Sequence, residues 1–328
     1  MYTSVSLPVG RQPPEGYASW TDLGEELSRL GCDGIEAIWS GQEISVPGEL
    51  VNGYHLTFFP DWLDFYREDE GALVQKFGSL ETAARFYGGL GREVLLKLYR
   101  DDLARAEALG AKYVVFHVSD VSIEECYTYR WLHSHEAVID ASLEAVNTIL
   151  GRQDRGFDFL VENQWWPGFT FTDPVLTARL IDGIDYPRKG ILLDTGHLLN
   201  CNTGLRTQRE GADYIHAMLD EHGNLCRWIK GVHLHQSLSG VYVKGHTGTL
   251  PELPEDYWEQ FSISYAHIQQ IDRHQPWSDP AIRSVIDRIA PAYLTHELSC
   301  QTRAQRRRAV AIQQDTVAGR SHTDRPLG

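Results

Sequence analysis

Short apolar or β-branched runs recur along the chain, and helical patterns fill the space between them. Runs at residues 2–7, 34–39, 51–59, 112–118, 157–162, 190–194, 229–235 and 293–297 have the length and residue types of strands. Ile191-Leu192-Leu193 is apolar without alternation, as in a parallel strand covered on both faces. Leu23, Leu27 and Leu30 mark a helix at 20–30, and helical spacing continues over roughly 70–109, 136–150, 174–181, 210–221 and from 303 onward. Eight strands alternating with helices predict an α/β protein with a parallel sheet. A doubly wound sheet would need a glycine-rich phosphate turn after the first strand, and none stands there. The expected fold is therefore a (β/α)8 TIM barrel: a single domain over 1–318, with 319–328 as a frayed tail. At 328 residues the chain exceeds the usual barrel length of ~250. The excess falls in two long connections, 60–99 and 236–275. Both follow a strand, where insertions cover or shape an active site.

Composition narrows the partners. Lysine plus arginine number 30 against 45 aspartates and glutamates, a net charge of −15. That disfavours DNA and anionic membranes, which reward basic surfaces. The one dense basic cluster, Arg303-Ala304-Gln305-Arg306-Arg307-Arg308, is expected to be a solvated helix face or a contact in a homo-oligomer. Five cysteines without a CxxC pair read as reduced thiols of a cytoplasmic protein. The first residues carry no basic-then-apolar signal, and no apolar run approaches the ~18 residues of a membrane span.

Candidate chemistry sits where the strands stop. His55 closes the third, His117 the fourth, Glu162 the fifth, Asp194 and His197 the sixth, His233 and His235 the seventh, and Glu297 the eighth. One histidine at a strand end is usually a satisfied structural residue. Metal-competent side chains on six successive strands are another matter, because a closed barrel brings those tips to one mouth. Several carboxylates gathered there without a cation would repel one another. A divalent metal centre is the economical answer, since Asp or Glu oxygen and neutral His nitrogen are ordinary ligands. In Asp194-Thr195-Gly196-His197, Gly196 is expected to allow a sharp turn. Aromatic residues follow the ligands: Phe58, Phe59, Trp62 and Phe65 after His55, and Trp165 and Trp166 after Glu162. Trp277 follows His274. Some of these should stack on a flat ligand.

The order His, His, Glu, Asp-x-x-His, His, Glu resembles the xylose-isomerase-like TIM barrels, a superfamily that includes endonuclease IV. Val161-Glu162-Asn163, Leu193-Asp194-Thr195-Gly196-His197-Leu198, Val232-His233-Leu234 and Ile271-Asp272-Arg273-His274 carry the likeness, which runs from about Gly34 to Glu297. The resemblance implies a shared metal site of Glu162, Asp194, His233 and Glu297, with His235 competing for the seventh-strand position. From the nuclease branch it implies two further metals, one on His55 and His117, the other on His197, Asp272 and His274. His246 competes with His274, and the segment before Asp272 also reads as helix. The chain departs from the nuclease branch at Thr3-Ser4-Val5-Ser6, where a histidine-containing opening is expected.

Two functions follow from the resemblance. The first is a metal-dependent isomerase or epimerase of a sugar-like polyhydroxy carbonyl compound. It would use one Mn, Mg or Co ion, Glu162 and Glu297 for proton transfer through an enediolate, and His197 on a substrate oxygen. Trp165, Trp166, Phe58, Trp62 and His246 are the expected substrate contacts. The second is a multinuclear zinc phosphoester hydrolase, for which the surplus of ligands speaks. A non-enzymatic binding role fits poorly with so complete a ligand set.

Overall fold

The computed structural model describes residues 1–320 of the chain. Eight parallel strands close into a barrel in chain order. They are β1 (Tyr2–Val9), β2 (Gly34–Trp39), β3 (Val51–His55), β4 (Tyr113–His117), β5 (Asp158–Glu162), β6 (Lys189–Asp194), β7 (Ile229–Leu234) and β8 (Tyr293–His296). Closure is made by β1 against β8, with Tyr2 opposite Tyr293 and Val5 opposite His296. Helices occupy every connection except that from β2 to β3, which is crossed by a single 3-10 turn, Gly48–Leu50. The chain is thus a single-domain (β/α)8 barrel.

Side chains two apart along a strand share a face. On β4 this sets Tyr113, Val115 and His117 on one side. Tyr113, Val115, Leu160, Leu192 and Tyr293 form an apolar plug of their own, distinct from the main core. The ligand-bearing tips lie one step further along the same strands. Gly53 belongs to this packing. A Cβ there would meet the Tyr113 ring at 2.2 Å, so only glycine leaves room for the phenol.

Several expected boundaries shift. The third strand ends at His55 and not at 59, because the backbone N–H of Thr57 is captured by the Asp102 carboxylate at 2.7 Å and leaves the ladder. The helix expected over 70–109 is three helices, Glu70–Phe77, Leu80–Tyr87 and Glu93–Ala108. Gly78 and Gly88 end the first two in left-handed conformations, and Ser79 caps the second. The other long connection folds into the helices Gly240–His246 and Tyr257–Ile271.

Part of the basic cluster is committed within the fold, while Arg308 remains exposed. Arg303 pairs with Asp22 and Glu26, and Arg307 pairs with Glu26, which tie the last helix (Arg303–Ala318) to the first (Trp20–Leu30). Of the tail expected at 319–328, Gly319 caps that last helix and Arg320 pairs with Asp315. Residues 321–328 lie outside the described residues. No disulfide is formed among the described residues, and no described helix is long and apolar enough to cross a membrane.

Gly53→Ala is expected to overpack the plug and lower unfolding free energy by about 1–3 kcal/mol in urea titrations. An unchanged midpoint would show that Tyr113 has room to move.

Candidate metal centre

The barrel mouth gathers ten ligand-capable side chains into three adjoining clusters: His55, His117 and Glu162; Glu162, Asp194, His233 and Glu297; and His197, His235, Asp272 and His274. These are the ten metal candidates named from the sequence, and Glu162 is common to two clusters.

The strands deliver them by simple means. β3, β4 and β5 end in His55, His117 and Glu162, and register sets His117 opposite Glu162. Asn163 follows, and its amide pins β6: Oδ1 accepts from the Asp194 N–H at 2.8 Å and Nδ2 donates to the Asp194 carbonyl at 3.0 Å. Asp194 caps the short helix Thr195–Asn200 by accepting from the His197 N–H at 2.6 Å. Gly196 does not make the turn expected of it, since it lies within that helix and not in the left-handed region. It supplies space: a Cβ there would meet the His235 ring at 2.0 Å. Asp272 ends the helix Tyr257–Ile271, and His274 sits beyond it at a φ of 46°.

In four histidines one ring nitrogen is held by an acceptor while the other faces a cluster. His55 Nδ1 donates to the Leu56 carbonyl, His197 Nδ1 to the Asn163 carbonyl and His274 Nδ1 to the Glu297 carbonyl. His233 Nε2 lies 2.9 Å from Glu36 Oε2. Such partners fix tautomer and ring orientation in metal sites. Glu36 was not among the candidates. It also accepts from the Tyr113 hydroxyl at 2.8 Å and from Thr295 at 3.3 Å. A lone acid within β2 gave little signal in the sequence beyond its place in an otherwise apolar run.

The geometry makes the ligand atoms converge. His55 Nε2 and His117 Nε2 are 3.0 Å apart, and each lies within 3.3 Å of Glu162 Oε2. His233 Nδ1 lies 3.5 Å from Glu162, 3.7 Å from Asp194 and 2.9 Å from Glu297. Ligands at ~2.1 Å from one tetrahedral ion stand ~3.4 Å apart, so this spacing fits. Both Glu162 oxygens, His233 Nδ1 and Glu297 Oε2 are shut from solvent and complete no well-aligned hydrogen bond. With neutral imidazoles, the four carboxylates leave a formal charge of −4 that divalent cations would offset. The residues fit metal ions.

The charges around each group create the same demand. Burial pushes Glu162 upward, but the charges of His117 and His233 outweigh it and hold the carboxyl well below its usual range. Burial lowers His233 and His197. Glu36, Glu297 and Glu162 raise His233 well above an ordinary imidazole, and Asp194 and Asp272 do the same for His197. His274 is pushed up to about 9, chiefly by Asp272 against its burial. His117 moves down, because its burial prevails. Bound cations would compete with protons at these histidines, so metal affinity would depend on pH.

The two competitions named from the sequence separate in space. His233 faces Glu162, Asp194 and Glu297. His235 has Nε2 at 2.9 Å from Asp194 and stacks on His274, ring centres 4.0 Å apart. His274 Nε2 lies 2.5 Å from Asp272, whereas His246 is exposed and stacked on Tyr242, away from the clusters. Phe58 stacks near His117 at 4.2 Å, and Trp165 lies 5.2 Å from His197 beside Trp166. All three line the cavity over the clusters. Trp62 does not. It is buried in the first insertion, with its indole N–H donating to the Ser119 carbonyl. Trp277 is likewise wholly buried, its N–H donating to the His235 carbonyl.

A closed parallel barrel with its functional groups at the strand C-termini defines the class of protein. Within it, the xylose isomerase-like TIM barrel model matches residues 25–311, and the chain belongs to that family. Among solved structures, endonuclease IV from Thermus thermophilus is 15% identical, with 97% of this chain and 100% of that one covered and a TM-score of 0.55. An L-ribulose 3-epimerase is 11% identical over 97% of this chain and 93% of its own, TM-score 0.50. Mannonate dehydratase from Streptococcus suis serotype 2 is 13% identical over 98% and 95%, TM-score 0.49. At these identities the likeness is one of fold.

Glu36→Gln keeps the shape but loses the charge behind His233. It is expected to weaken metal binding by about 10–100-fold in competition titrations with a chromophoric chelator. Unchanged affinity would remove Glu36 from the centre's support.

Proposed function

We propose that the chain is a multinuclear, divalent-metal phosphoester hydrolase. The observation that carries this is the sharing of Glu162 between two clusters with a third alongside. A one-metal isomerase would use Glu162, Asp194, His233 and Glu297 and give His197 a substrate contact. It would leave His55, His117, Asp272 and His274 converging without a task. Zinc accepts both the imidazoles of the two outer clusters and the carboxylates of the central one.

Metal ions at the three positions would neutralise a phosphoryl group and make water nucleophilic near neutral pH. The chain's own residues do the rest. Glu297 is the one carboxylate of the central cluster that reaches the open cavity, its side chain 19% exposed against 1% for Glu162. It accepts a hydrogen bond from the attacking water and orients it. The water oxygen bonds to phosphorus, the bond from phosphorus to the leaving alcohol oxygen breaks, and the alcohol departs with a proton. Arg273, exposed at the cavity wall and in no ion pair among the described residues, offers a fixed charge to a phosphoryl oxygen.

The cluster with three protein ligands leaves a position open, as catalytic zinc sites do. The other two clusters each bring four ligands, and the one of His197, His235, Asp272 and His274, which shares no residue with its neighbours, has the closed set of a structural site.

The second reading is the sugar isomerase or epimerase. The observation in its favour is that the central cluster alone makes a complete mononuclear site with Glu162 and Glu297 both in it.

Metal analysis of protein purified without chelator decides between them. About three zinc ions per chain are expected, one for each cluster. Hydrolysis of bis(4-nitrophenyl) phosphate should disappear on chelation and return with zinc. A single Mn, Mg or Co ion, with exchange of a ketose C–H proton into solvent, would overturn the hydrolase. Glu297→Gln should lower kcat on the diester by about 100-fold or more with the thermal melt unchanged, and retained activity would exclude it from the reaction.

A further inference from the structure

The metal clusters form only one end of a cavity of about 1230 Å³. Its far side is built by the two insertions, and it is aromatic. The helix Tyr257–Ile271 sets Tyr257, Phe261 and Tyr265 at i, i+4 and i+8, one stripe along a single face. Phe77 and Phe86 come from the other insertion. Phe77 packs on Tyr257 at 4.6 Å, and Phe86 on Phe261 at 5.4 Å. The stripe continues outward to Tyr265, stacked on Phe261 at 16° between planes.

This wall is not all covered. Tyr265 is 54% exposed, Phe58 48% and Leu250 46%, and all three face this cavity. Apolar surface left open in a concave site marks ligand contact. The cavity's charge points the same way. Its lysine and arginine side chains are Lys76 and Arg273, and Lys76 is already held between Asp61 and Asp64 at 2.7 Å from each. That leaves Arg273 as the one uncommitted lysine or arginine along the cavity wall, among the described residues. A polynucleotide draws much of its affinity from several lysine or arginine contacts to phosphate, and a single uncommitted arginine supplies little of that.

We propose that the substrate is a free small-molecule phosphoester with an uncharged aryl or similarly flat apolar body. This rests on the hydrolase reading and narrows it. The phosphoryl group lies at the clusters beside Arg273. The apolar body runs between Phe58 and the stripe of Phe261 and Tyr265. Only one ester bond is cleaved, so the product is an alcohol or phenol and the phosphate that water has completed.

The test separates binding from turnover. Zinc-loaded protein is titrated calorimetrically with methylphosphonate and with 1-naphthylmethylphosphonate, neither of which can be hydrolysed at its P–C bond. The naphthyl compound is expected to bind at least about tenfold more tightly, from the apolar area it buries. In Phe261→Ser and Tyr265→Ser that preference should fall below about threefold. Tyr265 lies on the surface of its helix, so its replacement leaves the core intact.

Equal affinity for the two phosphonates overturns the proposal. So does tighter competition by an abasic or intact DNA duplex, or a stable dimer that buries Tyr265 without aryl preference. Failure of the hydrolase reading looks different: neither phosphonate binds and one metal is found per chain, and the proposal then falls with it.

Discussion

Four carboxylates cannot be buried side by side unless something positive stands among them. Glu162, Asp194, Asp272 and Glu297 converge at the mouth of this barrel, and the rest of the molecule is arranged around their mutual repulsion. The chain's own response is to interleave them with six imidazoles, which can carry protons or yield their lone pairs to cations. The site therefore stores a demand for positive charge. Surface composition does not reveal that demand, because the net charge of −15 is spread over the whole chain.

The constraint reaches well beyond the ligands. His233 faces three carboxylates only because Glu36 holds its other nitrogen, and Glu36 is in turn hydrogen-bonded by Tyr113 and Thr295. Tyr113 stands where it does because Gly53 has no side chain. A path of contacts thus runs from a glycine on β3, through the apolar plug, to a ligand on β7. Among the described residues, Arg273 stays uncommitted at the cavity wall, but other cations are held in ion pairs of their own. Arg303 and Arg307 lock the terminal helices together, and Lys76 is enclosed by Asp61 and Asp64.

The strand tips were legible in the sequence because each is an apolar run halted by a side chain that can bind metal, and the barrel turns that series into a ring. What escaped depended on contacts between distant segments. Glu36 is one acid within a strand, and only its meeting with His233, 197 residues away, gives it a role. Gly196 looked like a turn residue, whereas what it provides is clearance for His235, a matter of packing that spacing cannot express. Trp62 and Trp277 resemble ligand-stacking aromatics in sequence, but backbone acceptors within the fold claim both indoles. His246 is exposed against Tyr242, whereas His274, at a φ of 46°, meets Asp272, a placement that no hydrophobic pattern records. The helices of the first insertion were merged because their apolar spacing carries through the glycines that break them.

The closure of β8 on β1 also sets an order in time. Glu297 follows the last strand, so nine of the ten ligand residues are made before it. Until Tyr293–His296 pairs with β1 and β7, the ring has a gap and the central cluster lacks its fourth member. A growing chain therefore carries most of a metal centre without having one. Charge that is tolerable in the finished barrel is a hazard to the unfinished one, and the final strand completes both the sheet and the site.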